Sequence, residues 1–427
     1  MKRLCTIDIA GLSRRLVSQQ TGLWVDSLTP GAGGAMRPTF PAVAPSVQAS
    51  MTTGREPGRH GVVSGGVFRR QSKNLSLLER SNTLLRKKRF WRWRDLPQSP
   101  SVALVFWSNP LAGGGDIVLG ASTYACQCGK VSHQPLGLYD RIAETCGQFD
   151  CDTVSGLTAS WKGSQWIASA AGEIWRTDKP DLMWVYLPGV DFELVRGGVV
   201  DNTASAGEAL ADVDQYASRL AEAVRADGGE VVVVSNGGYS DVSHAACPNR
   251  ILRDAGLLAV RETPDGIDVD IESSQALALV DHQFAHLYCV DEAAADRAAD
   301  ALADMEGLDA ILPRSEVFCS GLGHDRAGER VAVARPEAWF APRWMRSDEQ
   351  RTGEKAPAPL GYDPCELICS DSAPKVGAEE SSVRASRGRS DVSLEDSCFL
   401  AATCPLPTPQ EMCVTDLPDV LKKVMFE

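Results

Sequence analysis

The feature that most constrains the fold is an alternation of short apolar runs with longer amphipathic stretches. Four runs predict buried parallel strands, at Leu4–Ile9, Val102–Trp107, Leu182–Leu187 and Glu230–Ser235. Helical patterns lie between them, and the clearest are residues 204–227, which end at a Gly-Gly pair, and residues 291–305. Strands that alternate with helices indicate an α/β fold with a mainly parallel central sheet.

Composition narrows the classes of function. The chain has 427 residues, 44% of them apolar, and a formal net charge of −13, so it can bury a large core but is not suited to general nucleic-acid binding. The net charge does not exclude a local basic patch, and one candidate is "LLRKKRFWRWRD", residues 84–95. We interpret this segment as a solvated helix with two tryptophans turned inward, rather than as a nucleic-acid or membrane surface.

The cysteines and the first residues bear on location. The 13 cysteines are scattered without regular spacing, which predicts reduced thiols and a cytoplasmic protein. The apolar run in "MKRLCTIDIAGL" is short and contains Asp8, so we do not expect a signal peptide. No stretch approaches the roughly 20 apolar residues that cross a bilayer, and no membrane partner is expected.

The last part of the chain changes in character. Residues 371–410 are rich in Ser, Glu and Arg and poor in apolar residues, which predicts a disordered tail over 370–427. The final stretch, "VTDLPDVLKKVMFE", predicts a short amphipathic helix that docks on the domain or on a partner.

Polar residues follow three of the predicted strands. Asp8 ends the first, Asp191 follows "LMWVYLPGV", and Asn236 follows "EVVVVS". Ligands of parallel sheets bind beyond the carboxyl ends of the strands, and carboxylates gathered there suit divalent metals and phosphate. Alternatively, Asp8 caps a helix that begins near Ser13. Residues 40–50 form a loop that enters a helix, whose N–H groups could receive an anion.

A series of motifs then fits one family in order and spacing. They are "IDIAGLSRRLV", "FPAVAPSVQASMTTGREPGRHGVVSGG", "VYLPGVDFELVRGG", "VVVVSNGGYSDVSH", "NRILRDAGLLAVR", "ALVDHQFAHLYC", "GLGHDRAGERVAVARPEAWF" and "GYDPCEL". The chain resembles the alkaline phosphatase superfamily, in the branch of type I phosphodiesterases and nucleotide pyrophosphatases. The resemblance implies a three-layer α/β/α sandwich over residues 1–369, with insertions at 66–180, and hydrolysis of phosphate esters at a two-metal site.

The resemblance transfers only part of the metal site. Asp8 matches the metal-binding aspartate after the first strand, and Asp191 matches the aspartate of an Asp-x-x-x-His pair whose histidine position holds Val195. A later Asp-His pair becomes Asn236-Gly237. Two zinc ions ask for about six ligands, some of them shared, so these residues are too few for the usual pair.

The nucleophile and the last metal histidine are also altered. The nucleophile position, usually Thr or Ser, falls on Ala44, whose methyl group cannot attack phosphorus. Ser46 lies two positions on and could approach the same space. The late metal histidine has His324 as one candidate, while Pro357 stands where related sequences carry a histidine.

Replacement groups are available in "VDHQFAHLYC". His282 follows Asp281 and could bind a metal or act as an acid or base near neutral pH. His286 would share a face with His282 on one strand, but a packed, hydrogen-bonded role is the better interpretation of His286.

Two functions follow. The first is a hydrolase that uses zinc or manganese on a small phosphorylated substrate, with Asp8, Asp191, Asn236 and His324 at the metals and Ser46 and His282 in catalysis. The second is a catalytically inactive relative that keeps the fold as a binding or scaffold module, as the joint loss of nucleophile and ligands suggests.

Overall fold

The computed structural model describes residues 1–77, 79–121, 131–200, 203–264, 266–346 and 383–427. The motif "GYDPCEL", Pro357 and residues 370–382 lie outside these ranges. The described strands, in chain order, are β1 (Leu4–Ile9), β2 (Thr29–Met36), β3 (Gly66–Arg69), β4 (Asn74–Leu77), β5 (Val102–Val105), β6 (Ile117–Ala121), β7 (Val131–Gln134), β8 (Leu182–Leu187), β9 (Glu230–Val234), β10 (Ser240–Asp241), β11 (His244–Ala246), β12 (Val260–Thr263), β13 (Gly266–Val269), β14 (Ala276–Asp281), β15 (Phe284–Cys289), β16 (Leu308–Leu312), β17 (Arg330–Ala334), β18 (Ala338–Phe340), β19 (Ala385–Ser386) and β20 (Cys398–Ala402).

The described α-helices are α1 (Arg14–Ser18), α2 (Ala44–Thr53), α3 (Pro57–His60), α4 (Leu138–Cys146), α5 (Trp161–Asp178), α6 (Gly189–Gly197), α7 (Thr203–Ala226), α8 (Pro248–Asp254), α9 (Glu292–Leu302), α10 (Arg314–Val317) and α11 (Leu417–Phe426). Among the residues that the structure describes, none of the helices combines the length and apolarity needed to cross a membrane.

An eight-stranded central sheet has the order β2-β20-β9-β1-β8-β5-β6-β7. The five strands from β9 to β6 run parallel to one another. Strands β1 and β8 are buried at every residue, as expected of apolar strands that are covered on both faces. Helices α5 and α7 pack on each other and on this sheet. The predicted α/β fold with a mainly parallel sheet is confirmed.

The parallel register determines which polar residues meet. Asp8, near the end of β1, is level with Tyr186 on β8 and Val234 on β9. The residues that follow β8 and β9 therefore emerge at the same edge of the sheet as Asp8. This edge carries the candidate site.

A smaller antiparallel sheet, β14-β15-β17-β16, lies beside the first and has a hydrophobic core of its own with α8 and α9. Strands β14 and β15 pair Asp281 with Phe284, so His282 and Gln283 form the tip of a two-residue hairpin. His282 and His286 therefore do not share one strand, contrary to the expectation. His286 is fully buried, with its Nε2 3.1 Å from the carbonyl oxygen of Val63.

The predicted disordered tail is wrong for residues 383–427. Strand β20 lies between β2 and β9 inside the central sheet, and α11 packs in the main core and against α2. The low average hydrophobicity of the segment concealed the five-residue apolar run of β20, which is buried throughout. The expected terminal helix is present as α11.

The basic segment also differs from expectation. Instead of one helix it contains one short 3-10 turn, Phe90–Arg92, and the last residue of another, Asn82–Leu84. Trp91 is fully buried and Trp93 is half-buried, so both indoles pack inward as expected. Arg89 is also buried, which the charge pattern of the segment did not indicate.

Candidate active site

The centre of the site is the carboxylate of Asp8, which has no solvent exposure. Its Oδ2 accepts a hydrogen bond of 2.8 Å from the Nε2 of Gln48 and one of 3.1 Å from the Nδ2 of Asn236. Burial raises the pKa of Asp8 to about 7, although the two amide groups oppose this change. The negative charge of nearby Asp191 raises the pKa of Asp8 further, so the two carboxylates interact electrostatically.

Both amides that face Asp8 are held in one orientation. The backbone N–H of Ser108 donates to the Oε1 of Gln48 at 3.0 Å, and the guanidinium of Arg387 donates to the Oδ1 of Asn236 at 2.6 Å. Neither donor can accept a hydrogen bond, so each amide oxygen must point away from Asp8 and each NH2 group toward it. Asp8 is thus surrounded by N–H donors.

Asp191 lies in the first turn of α6, where the helix dipole favours a negative charge. An Nη2 atom of Arg387 lies 3.3 Å from its Oδ2, and the hydroxyl of Tyr186 donates to the same oxygen at 3.4 Å. Burial raises the pKa of Asp191, while Arg387 and His282 oppose this rise. The guanidinium of Arg387 lies over the ring of Tyr239, 5.1 Å from its centroid.

His282 is fixed at the hairpin tip. Its Nδ1 donates to the Oδ1 of Asp281 at 2.7 Å, and the Oδ2 of Asp281 accepts from the hydroxyl of Ser64 and the N–H of Gly65. The φ of His282 is 60°, a left-handed conformation that is uncommon outside glycine and is found at functional sites. The N–H of the adjacent Gln283 donates to the carbonyl oxygen of Arg387 at 2.9 Å, so the hairpin tip lies beside the segment that carries Arg387.

Helix α2 presents Ala44 and Gln48 on one face, since residues four apart are neighbours on a helix. Ser46 lies about 200° around the helix from Gln48 and therefore faces away from Asp8. The hydroxyl of Ser46 is buried and has no hydrogen-bond partner among the described residues. The role of Ser46 as nucleophile stays a prediction that this geometry does not favour.

His324 lies elsewhere. Its Nδ1 accepts from the backbone N–H of Arg326 at 3.1 Å, and its ring lies against Gly61, beyond the far end of α2. None of its described contacts reaches Asp8. Of the predicted residues, the structure therefore brings together Asp8, Asp191, Asn236 and His282, but not Ser46 or His324.

A small pocket opens beside the start of α2. Its lining includes Pro45 of α2, the indole of Trp107 and the side chain of Arg80. Phe106 and Asn109, also in the lining, have φ values of 57° and 49°, so left-handed backbone is concentrated here as well as at His282.

The wall of this pocket is held by the buried Arg89. Its Nη2 donates to the carbonyl oxygens of Ser108 and Asn109 at 2.8 and 2.9 Å. Because the N–H of Ser108 orients Gln48, this contact also supports the donor that faces Asp8. Arg89, although it belongs to the basic segment, therefore makes its hydrogen bonds inside the protein.

The donor set does not fit a pair of metal ions. Asp8 receives amide N–H groups where a cation would have to approach, and Arg387 already places a positive charge between Asp191 and Asn236. Among the described residues, no three His, Cys, Asp or Glu side chains are grouped to hold a metal ion. A two-metal phosphoryl-transfer site needs both cations close to the substrate oxygens.

Two residues of the site, Gln48 and Arg387, were missed by the sequence reasoning. Gln48 could have been found, because it lies one helical turn after Ala44 in the loop-to-helix motif. Arg387 lies in the segment interpreted as a tail, and no motif singled it out.

The chain matches the family model of type I phosphodiesterase / nucleotide pyrophosphatase over residues 10–357. No match was found among curated proteins. Among solved structures it resembles phosphonoacetate hydrolase from Sinorhizobium meliloti 1021 in complex with phosphonoformate, with 14% identity, a TM-score of 0.63 and coverage of 99% of this chain and 96% of that one.

Murine ectonucleotide pyrophosphatase / phosphodiesterase 5 has 13% identity and a TM-score of 0.62, covering 99% of this chain and 95% of that one. Its inactive threonine-to-alanine variant in complex with AMP has 13% identity and a TM-score of 0.63, with coverage of 100% and 95%. At these identities the solved structures show that this chain shares their fold. Because the family model spans most of the sequence, the chain belongs to the type I phosphodiesterase / nucleotide pyrophosphatase family.

Proposed function

We propose that this chain binds a small phosphorylated molecule at the pocket beside α2 and does not hydrolyse it by two-metal chemistry. The observation that carries the proposal is the pair of oriented amides, Gln48 and Asn236, that turn N–H donors toward Asp8. A divalent cation at Asp8 would meet these donors instead of free lone pairs.

The start of α2 supports the same conclusion. The nucleophile position falls on Ala44, and the nearest hydroxyl in sequence, that of Ser46, lies on another face of the helix. The murine relative is inactive in its threonine-to-alanine variant and still forms a complex with AMP. A protein of this fold that is inactive through a threonine-to-alanine change can therefore still bind a small phosphorylated molecule.

The pocket offers groups suited to such a ligand. Arg80 adds a cation to the lining, which also contains the carboxylate of Glu79 and, from the first turn of α2, Pro45. The aromatic rings of Phe106 and Trp107 provide an apolar wall for the rest of the molecule.

Calorimetric titration with AMP tests binding. We expect saturable binding by the wild type, weakening by about tenfold or more in Arg80→Gln, because a cation–phosphate contact is lost. Arg176→Gln, an exposed arginine on α5 that pairs with Glu173, is the matched control and should bind like the wild type. Equal affinity of Arg80→Gln and wild type would remove this pocket from the proposal.

The second candidate is a zinc- or manganese-dependent phosphoric ester hydrolase, which family membership favours. Asp8, Asp191 and Asn236 would then hold metal, with His324 recruited only after a rearrangement, and Ser46 or His282 would take part in catalysis. Metal content of the purified protein and turnover of bis(p-nitrophenyl) phosphate distinguish the two. Two equivalents of metal with turnover that Asp8→Ala abolishes would overturn the first proposal.

We also propose a cytoplasmic setting with reduced thiols. Among the described residues, nine cysteines form no disulfide bond with one another, and of these Cys5 and Cys398 are fully buried. Quantitative thiol labelling of unfolded protein purified under alkylating conditions should count all 13 cysteines of the sequence. A lower count would indicate disulfides and an oxidising compartment.

A further inference from the structure

The positive charge at the centre of the site comes from the buried guanidinium of Arg387. Asp8 is 0% exposed and Asp191 is 6% exposed, and two buried carboxylates so close together require a counter-charge. Arg387, itself 7% exposed, contacts Asp191 directly and reaches Asp8 through the amide of Asn236. A guanidinium keeps its proton in proteins, so this charge is permanent.

We propose that Arg387 is a built-in replacement for a bound metal cation, and that its removal converts the Asp191 side of the site into a binding site for one divalent cation. The chemistry of the oxygens supports this. The Oδ1 of Asp191 is buried and has no hydrogen-bond partner among the described residues. Replacing Arg387 would also release the Oδ1 of Asn236, and it would leave the Oδ2 of Asp191 with the 3.4 Å hydrogen bond from Tyr186.

These released atoms form a suitable donor set. Two carboxylate oxygens and one amide oxygen are hard ligands of the kind that Mn²⁺ accepts. The unpartnered, buried oxygen of Asp191 is the independent sign that this side of the site has capacity for a cation.

The backbone around Arg387 is held without its side chain, so its removal should leave the site in place. The N–H of Gln283 donates to the carbonyl oxygen of Arg387 at 2.9 Å, and the N–H of Ala42 donates to that of Gly388 at 3.0 Å. Next to it, β19 pairs with β10. The segment therefore stays attached on three sides in Arg387→Ala.

The test is titration of EDTA-treated full-length protein with Mn²⁺, followed by electron paramagnetic resonance. Arg387→Ala should bind one Mn²⁺ at least about tenfold more tightly than the wild type, because a fixed repulsive charge is gone. Arg387→Lys retains a cation and should bind like the wild type. Arg389→Ala is the matched control, since Arg389 pairs with Asp309 and Asp391 outside the site.

Further variants make the result decisive. Asp191→Asn in the Arg387→Ala background should abolish the new binding, which locates it. If Arg387→Ala unfolds without metal, Mn²⁺ should raise its melting temperature, and Arg387→Met should give the same binding with a side chain of similar length. Folded Arg387→Ala and Arg387→Met that bind Mn²⁺ no better than the wild type would overturn the inference.

This inference does not depend on the proposed function. A variant can gain a cation whether or not the wild type binds AMP. Wild-type protein that carries two metals and hydrolyses phosphodiesters would overturn the proposed function, whereas unchanged Mn²⁺ affinity of the Arg387 variants would overturn only the inference.

Discussion

The pKa of Asp8 makes a quantitative prediction about stability. Burial raises the pKa of Asp8 from an ordinary 3.8 to about 7 in the folded protein. Between these values the folded state binds the proton and the unfolded state does not, so the free energy of unfolding falls as the pH rises. The slope is about 1.4 kcal/mol per pH unit, and the whole loss is about 4 kcal/mol by pH 8.

Asp8→Asn removes this titration while keeping the shape of the side chain. The free energy of unfolding of the variant minus that of the wild type should therefore increase by about 3–4 kcal/mol between pH 4.5 and 8, most of it below pH 7. Urea denaturation in EDTA-containing buffers measures both proteins. Using the difference cancels the other titrating groups, apart from those that face Asp8: Asp191, Arg387 and the thiol of Cys398.

Asp26→Asn, at an exposed aspartate, controls for the loss of one carboxylate. A difference between Asp8→Asn and wild type that stays constant with pH would refute the reasoning, since it would mean that Asp8 is fully compensated when ionised. If zinc removes the pH dependence, Asp8 binds the metal, and the conclusion that amide donors exclude cations is wrong.

Three further changes test other parts of the structure. Arg89→Met should lower the free energy of unfolding in urea by about 3 kcal/mol, because a buried cation leaves four hydrogen bonds unmade; a loss below 0.5 kcal/mol, on the order of an exposed site, would contradict this. Gly238→Ala should lower the free energy of unfolding by several kcal/mol, on the order of other overpacked sites, because the new Cβ overlaps the carbonyl oxygen of Asp396. Gly172→Ala, inside α5 with open space around it, should raise the free energy of unfolding by about 0.5–1 kcal/mol. Similar melting temperatures for the two variants would be inconsistent with these contacts. A chain of residues 1–382 should show no cooperative thermal unfolding by calorimetry, because β20 and α11 belong to the main core, and a sharp transition near that of the full chain would argue against this role.

The sequence predicted the central strands well because their physics is local. Strands β1 and β8 begin and end where predicted, since each is an unbroken apolar run between polar residues. Helix α7 differs by one residue at each end from the predicted 204–227. In the same way, the carboxyl ends of parallel strands sufficed to place Asp8 near Asp191.

The site was less predictable because its decisive contacts join distant segments. Gln48 donates to Asp8, 40 residues away, and Arg387 donates to Asn236, 151 residues away. Neither contact leaves a pattern within a short window of sequence. The hairpin tip at His282 was missed for a different reason, since a histidine with positive φ in a two-residue turn has none of the usual glycine or asparagine signals.

The position of β20 also affects how the protein is made. Because β20 lies between β2 and β9, these two strands have no partner on that side until residues 398–402 have left the ribosome. Two strand edges therefore stay open while the intervening residues are made, and such edges attract other chains. We expect nascent protein to depend on chaperones that shield these edges until β20 is available.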